Sequence, residues 1–147
     1  MINHRKNGKW SPIEHSYHVH LAEMYSRKYC VKKLSFNPAL KRAGIMTQLR
    51  IWALQTIEWM PVKFKAPKAI DQDVFPPNLS LDQVADEWSV ERLELKRFLQ
   101  DLDPSYLHKE IYKQPTVGRV TIEGMLRFFQ YHLDRHRHHI KRDYHIG

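Results

Sequence analysis

The chain has 147 residues, of which 42% are hydrophobic and 27% charged, and its formal net charge is +8. This length and composition predict one globular domain over residues 1–147, with enough apolar residues for a core. A single cysteine, Cys30, excludes an internal disulfide and favours a reducing, cytoplasmic compartment. The first residues are polar, so we expect no signal peptide. Arg50 and Glu58 interrupt the longest apolar stretch, residues 45–60, so we expect no membrane span.

Lysines and arginines are scattered across residues 5–9, 27–33, 63–68 and 135–142. The last group lies near the end of a predicted helix, where positive charge is favourable. We therefore interpret the basic residues as solvated surface and expect no nucleic-acid partner. A basic nucleic-acid-binding domain is the third-ranked alternative.

The first predicted helix begins at Pro12, because Ser11 is a good N-cap and Glu14 completes a capping box. It runs to about Val31. Asn37–Pro38 breaks this pattern and predicts a second helix, or a kinked continuation of the first, over about 38–59, with Asn37 as its N-cap. The apolar side of the first helix is expected at Ile13, Tyr17, His18, Leu21, Met24 and Tyr25, and that of the second at Leu49, Trp52, Ala53, Thr56 and Ile57.

Residues 61–77 contain four prolines and no helical period, which indicates a long ordered loop. Ser80 is the predicted N-cap of a third helix that ends near Leu102. A short helix follows from Asp103 to near Tyr112, then a turn at 114–118, and Thr121 caps a last helix to about Asp143. The pattern is all-α with no confident strand. The apolar face of the third helix is expected at Val84, Trp88, Val90, Leu93, Leu95, Phe98 and Leu99.

Four histidines lie within eight residues of the last predicted helix. Residues four and seven apart share a helix face, so His132, His136 and His139 point to the apolar side while His138 points elsewhere. Burying an unpaired imidazole costs roughly a few kcal/mol. A divalent metal shared by His132 and His136 is the simplest partner. The alternative is a solvated histidine run that binds metal adventitiously.

A third ligand is expected from the first helix, which carries His15, His18 and His20. His18 lies on the predicted core side with Leu21, whereas His15 is nearer the edge and His20 lies well round the helix. Helical geometry therefore favours His18 and keeps His15 as the alternative.

Several motifs together resemble the DinB-like (DinB/YfiT) superfamily. They are Trp10-Ser-Pro-Ile-Glu14 with His18 eight residues after the tryptophan, Pro115–Thr121, and His132-x-x-x-His136-x-x-His139. The resemblance implies an all-α fold, an up-down-down-up four-helix bundle, here with an added short helix and the long proline-rich loop. Only nine residues precede Trp10, so we expect the family's usual first helix to be missing or shortened. The helix at 37–60, or a partner chain in a homodimer, would then fill its place.

The same resemblance implies that His18, His132 and His136 bind a divalent metal, zinc or nickel, with positions left open for water. His139 corresponds to a further ligand or a residue behind the ligands, and His15 and Glu14 are the other candidates for such a role. A ligand imidazole usually donates its other N–H to a nearby oxygen. Glu23, Tyr25 and Asp134 are further candidates for the group that accepts this hydrogen bond.

The activity implied is transferase or hydrolase chemistry on a small substrate, with a metal-activated water or a low-molecular-weight thiol such as bacillithiol, mycothiol or glutathione. No catalytic residue can be named beyond the ligands, and the sequence contains no nucleophile elbow or phosphate-binding glycine loop. The alternative is a non-catalytic helical binding or dimerisation module with a structural or degenerate metal site.

Overall fold

The computed structural model describes residues 4–5, 8–60 and 66–145, and these form a mainly helical protein. Within them, α1 spans Pro12–Ser35, α2 spans Ile45–Trp59, α3 spans Leu81–Asp101 and α4 spans Ile122–Tyr144. Short 3-10 turns occupy Lys68–Ile70, Gln72–Val74 and Pro104–Tyr106, and a hairpin is formed by β1 (Tyr112–Gln114) and β2 (Gly118–Val120). The expectation of a mainly α-helical fold is confirmed. Residues 61–65, the beginning of the predicted proline-rich loop, lie outside the described residues.

Three helices begin where the capping residues predict. Ser11 and Glu14 form the reciprocal capping box of α1, with the Ser11 amide donating to Glu14 Oε2 at 2.7 Å. Ser80 Oγ accepts from the Gln83 amide at the start of α3. Thr121 Oγ1 accepts from the Gly124 amide at the start of α4. Each side chain satisfies a backbone donor that the helix itself leaves unpaired.

The start of α2 differs from the prediction of a helix from Pro38. Asn37 has a φ of 47°, a left-handed conformation that asparagine tolerates and that ends α1. The chain is then held extended: the Ala43 amide donates to the His108 carbonyl at 2.8 Å, and the Glu110 amide donates to the Lys41 carbonyl at 2.9 Å. Because these backbone groups are used by a segment distant in sequence, the helix begins only after Gly44.

The hairpin was not expected, and the predicted short helix from Asp103 to Tyr112 is wrong beyond its first turn. Tyr112 pairs with Val120 and Gln114 with Gly118 in an antiparallel register. Gly118 has a φ of 92°, which favours glycine at this turn. Strands of three residues are too short for their alternation to be detected in sequence.

α1 packs against both α3 and α4, whereas α2 packs against α4 and β2. One core cluster fills the space between these elements, and Cys30 lies in it with its Sγ 3.7 Å from Met125 Sδ. Burial raises the pKa of Cys30 to about 12, so this thiol is an inert core group. The buried members of the cluster are Cys30, Ile51, Leu54, Leu95, Ile111, Tyr112, Val120, Ile122, Met125, Phe128 and Phe129.

The face of α2 that packs inward is not the predicted one. Ile51 and Leu54 are buried in the core, while Leu49, Trp52 and Thr56 are exposed. Both sides of this helix are apolar, so periodicity alone cannot distinguish them. Three further residues predicted on apolar faces are also exposed, namely Tyr25 of α1 and Val90 and Leu93 of α3.

Within the described part of the chain, every helix is too short or too polar to cross a membrane.

Candidate metal centre

The packing of α1 against α4 brings three of the predicted histidines together. One ring nitrogen from each of His18, His132 and His136 lies within 4.8 Å of the other two. His18 and His136 are buried, and His132 is 14% exposed at its side chain. His132 and His136 are one helical turn apart on α4, so a single face of that helix presents both rings to His18.

Hydrogen bonding fixes the orientation of the His18 ring. Its Nδ1 lies 2.7 Å from the carbonyl oxygen of Ile70, in the first 3-10 turn. A carbonyl only accepts, so Nδ1 carries the hydrogen and donates it. The Nε2 atom of His18 therefore has a free lone pair, and it lies 3.2 Å from Nε2 of His132.

The surroundings of His132 test whether a cation fits between these rings. His132 Nδ1 is buried without a hydrogen-bond partner among the described residues, and the nearest acid, Glu58, has its Oε2 3.5 Å away. A hydrogen on Nδ1 would face this carboxylate, which leaves the His132 Nε2 lone pair opposed to that of His18. Two nitrogens bound to one ion at about 2.0–2.1 Å each lie about 3.0–3.4 Å apart. The 3.2 Å separation fits either an N–H···N hydrogen bond from His132 or two nitrogens bound to one divalent ion. A hydrogen on His132 Nδ1, where the carboxylate of Glu58 lies, favours the ion.

His15 forms a hydrogen bond with the Nδ1 atom of His136. Their Nδ1 atoms are 2.7 Å apart, so one ring donates to the other. If His136 binds a metal through Nε2, its hydrogen must be on Nδ1 and His15 must accept it. His15 thus occupies a position behind the three-histidine cluster.

Burial keeps His15, His18 and His136 neutral, and neutral histidine is the form that binds metal. Loss of hydration lowers the pKa of His18 to about 4, with a further contribution from nearby His132. Burial also lowers the pKa of His15 to about 4 and places that of His136 well below its usual value. At neutral pH His15, His18 and His136 are therefore uncharged, and each ring has one nitrogen without a hydrogen.

Two residues of this region were not singled out as site residues from sequence. Trp10 covers the cluster, with its ring centroid 4.9 Å from that of His18 and nearly parallel to that of His136. In the sequence, only its place in the motif Trp10-Ser-Pro-Ile-Glu14 pointed to it. Glu58 reaches His132 from the last turn of α2. In the sequence, Glu58 was noticeable only as a charged residue within the otherwise apolar stretch 45–60.

The other histidines of α1 and α4 lie farther from the cluster. His139 is partly buried, with its ring centroid 5.9 Å from that of His136 and 6.0 Å from that of His15. His20 faces α3 instead, where its Nε2 is 3.6 Å from Glu87 Oε2. His138 is exposed and lies beside Trp59.

The carboxylate and hydroxyl candidates are occupied elsewhere or exposed. Glu14 is paired with Arg5 and caps α1. Glu23 is buried and accepts from Trp88 Nε1 at 2.8 Å and from Arg92 at 2.7 Å. In addition, Tyr25 is exposed, and Asp134 accepts from Gln130 on the surface of α4.

The fold and the cluster together define a helical protein with a candidate metal centre formed by three histidines from its first and last helices. The sequence model of the DinB superfamily matches residues 2–140, and the chain belongs to this superfamily. No curated protein and no solved structure matches it significantly.

Proposed function

We propose that the protein is a divalent-metal-dependent enzyme that acts on a small substrate by transferase or hydrolase chemistry, with His18, His132 and His136 as the metal ligands. The observation that supports this most is the pair of Nε2 atoms 3.2 Å apart, one of which has a free lone pair fixed by the Ile70 carbonyl. Membership of the DinB superfamily supports the same proposal. Nitrogen donors suit zinc or nickel.

An ion held by three imidazoles supplies a Lewis acid that favours the deprotonated form of water or of a low-molecular-weight thiol. Three other groups of the protein contact the ligand rings and orient them or shield them from water. The Ile70 carbonyl orients His18, the Glu58 carboxylate lies beside His132 Nδ1, and the Trp10 ring covers His18. Together they keep the ligand nitrogens converged in a partly dry environment.

Metal content of tag-free protein tests the ligand set. We expect about one zinc or nickel ion per chain after metal supply, and its loss in His132→Ala, because two imidazoles alone hold such an ion weakly. His138→Ala is the matched control, since His138 is an exposed histidine on the same helix. A folded protein that takes up no metal, or equal loss in both variants, would contradict the proposal.

The deep position of the ligands favours one second candidate, a structural metal site in a non-catalytic helical module. His18 and His136 are buried, and Trp10 lies over both. Cobalt-substituted protein distinguishes the two. Absorption bands that shift on addition of glutathione or another small thiol support the enzyme, because the thiol must then reach the ion. Unchanged bands and an ion that does not exchange support the structural site.

A further inference from the structure

The outward face of α2 is an apolar surface with no charged residue. Ile45 is 81% exposed, Trp52 68% and Trp59 62%, and Leu49 and Met46 are also more than half exposed. We call the row Ile45, Leu49, Trp52, Thr56 and Trp59 the α2 seam. All exposed positions of α2 are uncharged, in a chain that is 27% charged.

Both charged residues of α2 are engaged within the fold, Glu58 in a buried position and Arg50 with a side chain that is 36% exposed. Arg50 donates to Glu110 and to the Arg119 carbonyl, each at 3.3 Å, and Glu58 is 9% exposed beside His132. Depletion of charge and enrichment in tryptophan and methionine are typical of the centre of a protein–protein interface, not of ordinary surface.

The spacing of the α2 seam indicates another helix as its partner. Its residues follow one another at intervals of four, three, four and three, which is the repeat by which two helices pack side by side. Isolated exposed apolar residues are normal on a surface, but a continuous row along a 15-residue helix is not.

The order of side chains along the seam suits an antiparallel copy of itself. Trp52 stands midway, seven residues from Ile45 and seven from Trp59. A two-fold axis at Trp52 would place Ile45 opposite Trp59 of the other copy, and the small Thr56 near Leu49. The same surface then serves both partners, as a two-fold interface requires.

The size of the surface is also sufficient. With Met46 and Met60, the seam exposes on the order of 800 Å² in total, which is the most that these side chains could bury. This upper limit reaches the roughly 800 Å² that each partner buries in a standard interface. The exposed positions of α2 on either side of the seam carry no lysine or arginine, and the partly exposed Arg50 is paired with Glu110. This helix therefore lacks the free basic flank by which an interfacial helix binds an anionic membrane. We propose that the α2 seam is the homodimer interface of this protein, with the two α2 helices antiparallel about Trp52.

Molar mass of the tag-free full chain, measured by light scattering after size exclusion, tests this proposal. We expect twice the chain mass, and a dimer that persists or tightens with added salt, because the contact is apolar and both chains are basic. Trp52→Glu should raise the dimer dissociation constant about 30-fold or more, the loss expected at a central aromatic contact. Val90→Glu is the matched control, since Val90 is an exposed apolar residue of α3.

A second measurement keeps the test independent of folding defects. With oxidised glutathione, a mixture of Leu49→Cys and Thr56→Cys chains should form a disulfide-linked dimer, whereas Thr56→Cys alone should not. The natural Cys30 is buried and does not compete. A monomer at all accessible concentrations, an unchanged dimer in Trp52→Glu, or cross-linking of Thr56→Cys with itself would overturn the proposal. Flotation of monomeric protein with anionic vesicles would also overturn it and assign the seam to a membrane.

Discussion

His15 and His136 share a single hydrogen between two Nδ1 atoms, and this contact determines what each ring can do. Free imidazole exchanges its hydrogen between the two nitrogens, and only one tautomer presents Nε2 as a ligand. A buried acceptor at the other end of the ring selects that tautomer without adding charge. We therefore infer that His15 is a positioning residue for His136 if the proposed metal site is present.

Replacing His15 separates this role from simple packing. His15→Leu should weaken metal binding roughly 10-fold, because the hydrogen on His136 Nδ1 loses its acceptor. His15→Asn should restore most of the affinity, since an asparagine oxygen can take the place of Nδ1. Competition with a chromophoric chelator measures both, with circular dichroism as the folding control. Equal losses in the two variants would show that His15 only fills space.

How far these residues can be found from sequence depends on whether the signal for each lies within its own helix. His132 and His136 follow from the helical repeat, and His18 follows from the apolar side of α1. The contacts of Trp10 and Glu58 with the cluster depend on how α1, α2 and α4 pack, which no local pattern contains. The same holds for the carbonyl of Ile70, because any residue type could provide it.

At the scale of elements, the close approach of α4 to α2 depends on Gly124. A Cβ atom there would lie 2.8 Å from Val120 Cβ and 2.9 Å from Ile51 Cγ1, both shorter than ordinary contacts. Val120 and Ile51 are buried core residues, so neither can move freely.

Gly124→Ala should therefore lower the free energy of unfolding by about 1–3 kcal/mol, through overpacking at the start of α4. Gly44→Ala makes the same chemical change where an added Cβ meets nothing within 4 Å, and it should cost less because only the cap preference of α2 changes. Urea unfolding of both variants gives the comparison. Similar losses at the two sites would refute the packing explanation.

The elements themselves were predictable to different degrees, for a physical reason. α1, α3 and α4 begin at side chains that cap their own helix, so the signal is local. The late start of α2 depends on backbone bonds between distant segments, such as Ala43 with His108. The hairpin is local, but its strands have only three residues each, too few for a detectable alternation. The wrong face was predicted for α2 because that helix has two apolar sides.

At the scale of the whole molecule, neutral buried histidines make stability depend on pH. The pKa values of His15 and His18 are about 4 in the folded protein, while an unfolded chain has the ordinary value of about 6.5. Between these values the unfolded chain binds protons that the folded chain does not. The free energy of unfolding must then fall as the pH is lowered through this range.

Metal-free protein should lose up to about 1.4 kcal/mol per pH unit for each of these groups between about pH 6 and about pH 4. Urea unfolding at a series of pH values measures the slope, and His15→Asn should reduce it. A stability that stays constant over this range would mean that the rings are protonated in the fold.

The side chain of Arg135 connects α4 to α2. It lies on α4 between His132 and His136, and its Nη1 donates to the carbonyls of Ile57 and Glu58 at 3.3 and 3.1 Å. The last turn of α2 is thereby attached to the turn of α4 that carries two proposed ligands. Any ion that stiffens this turn should slow amide hydrogen exchange in α2 and leave rates at the far end of α3 unchanged. Mass spectrometry with and without zinc would detect metal binding from a helix that supplies none of the three histidines.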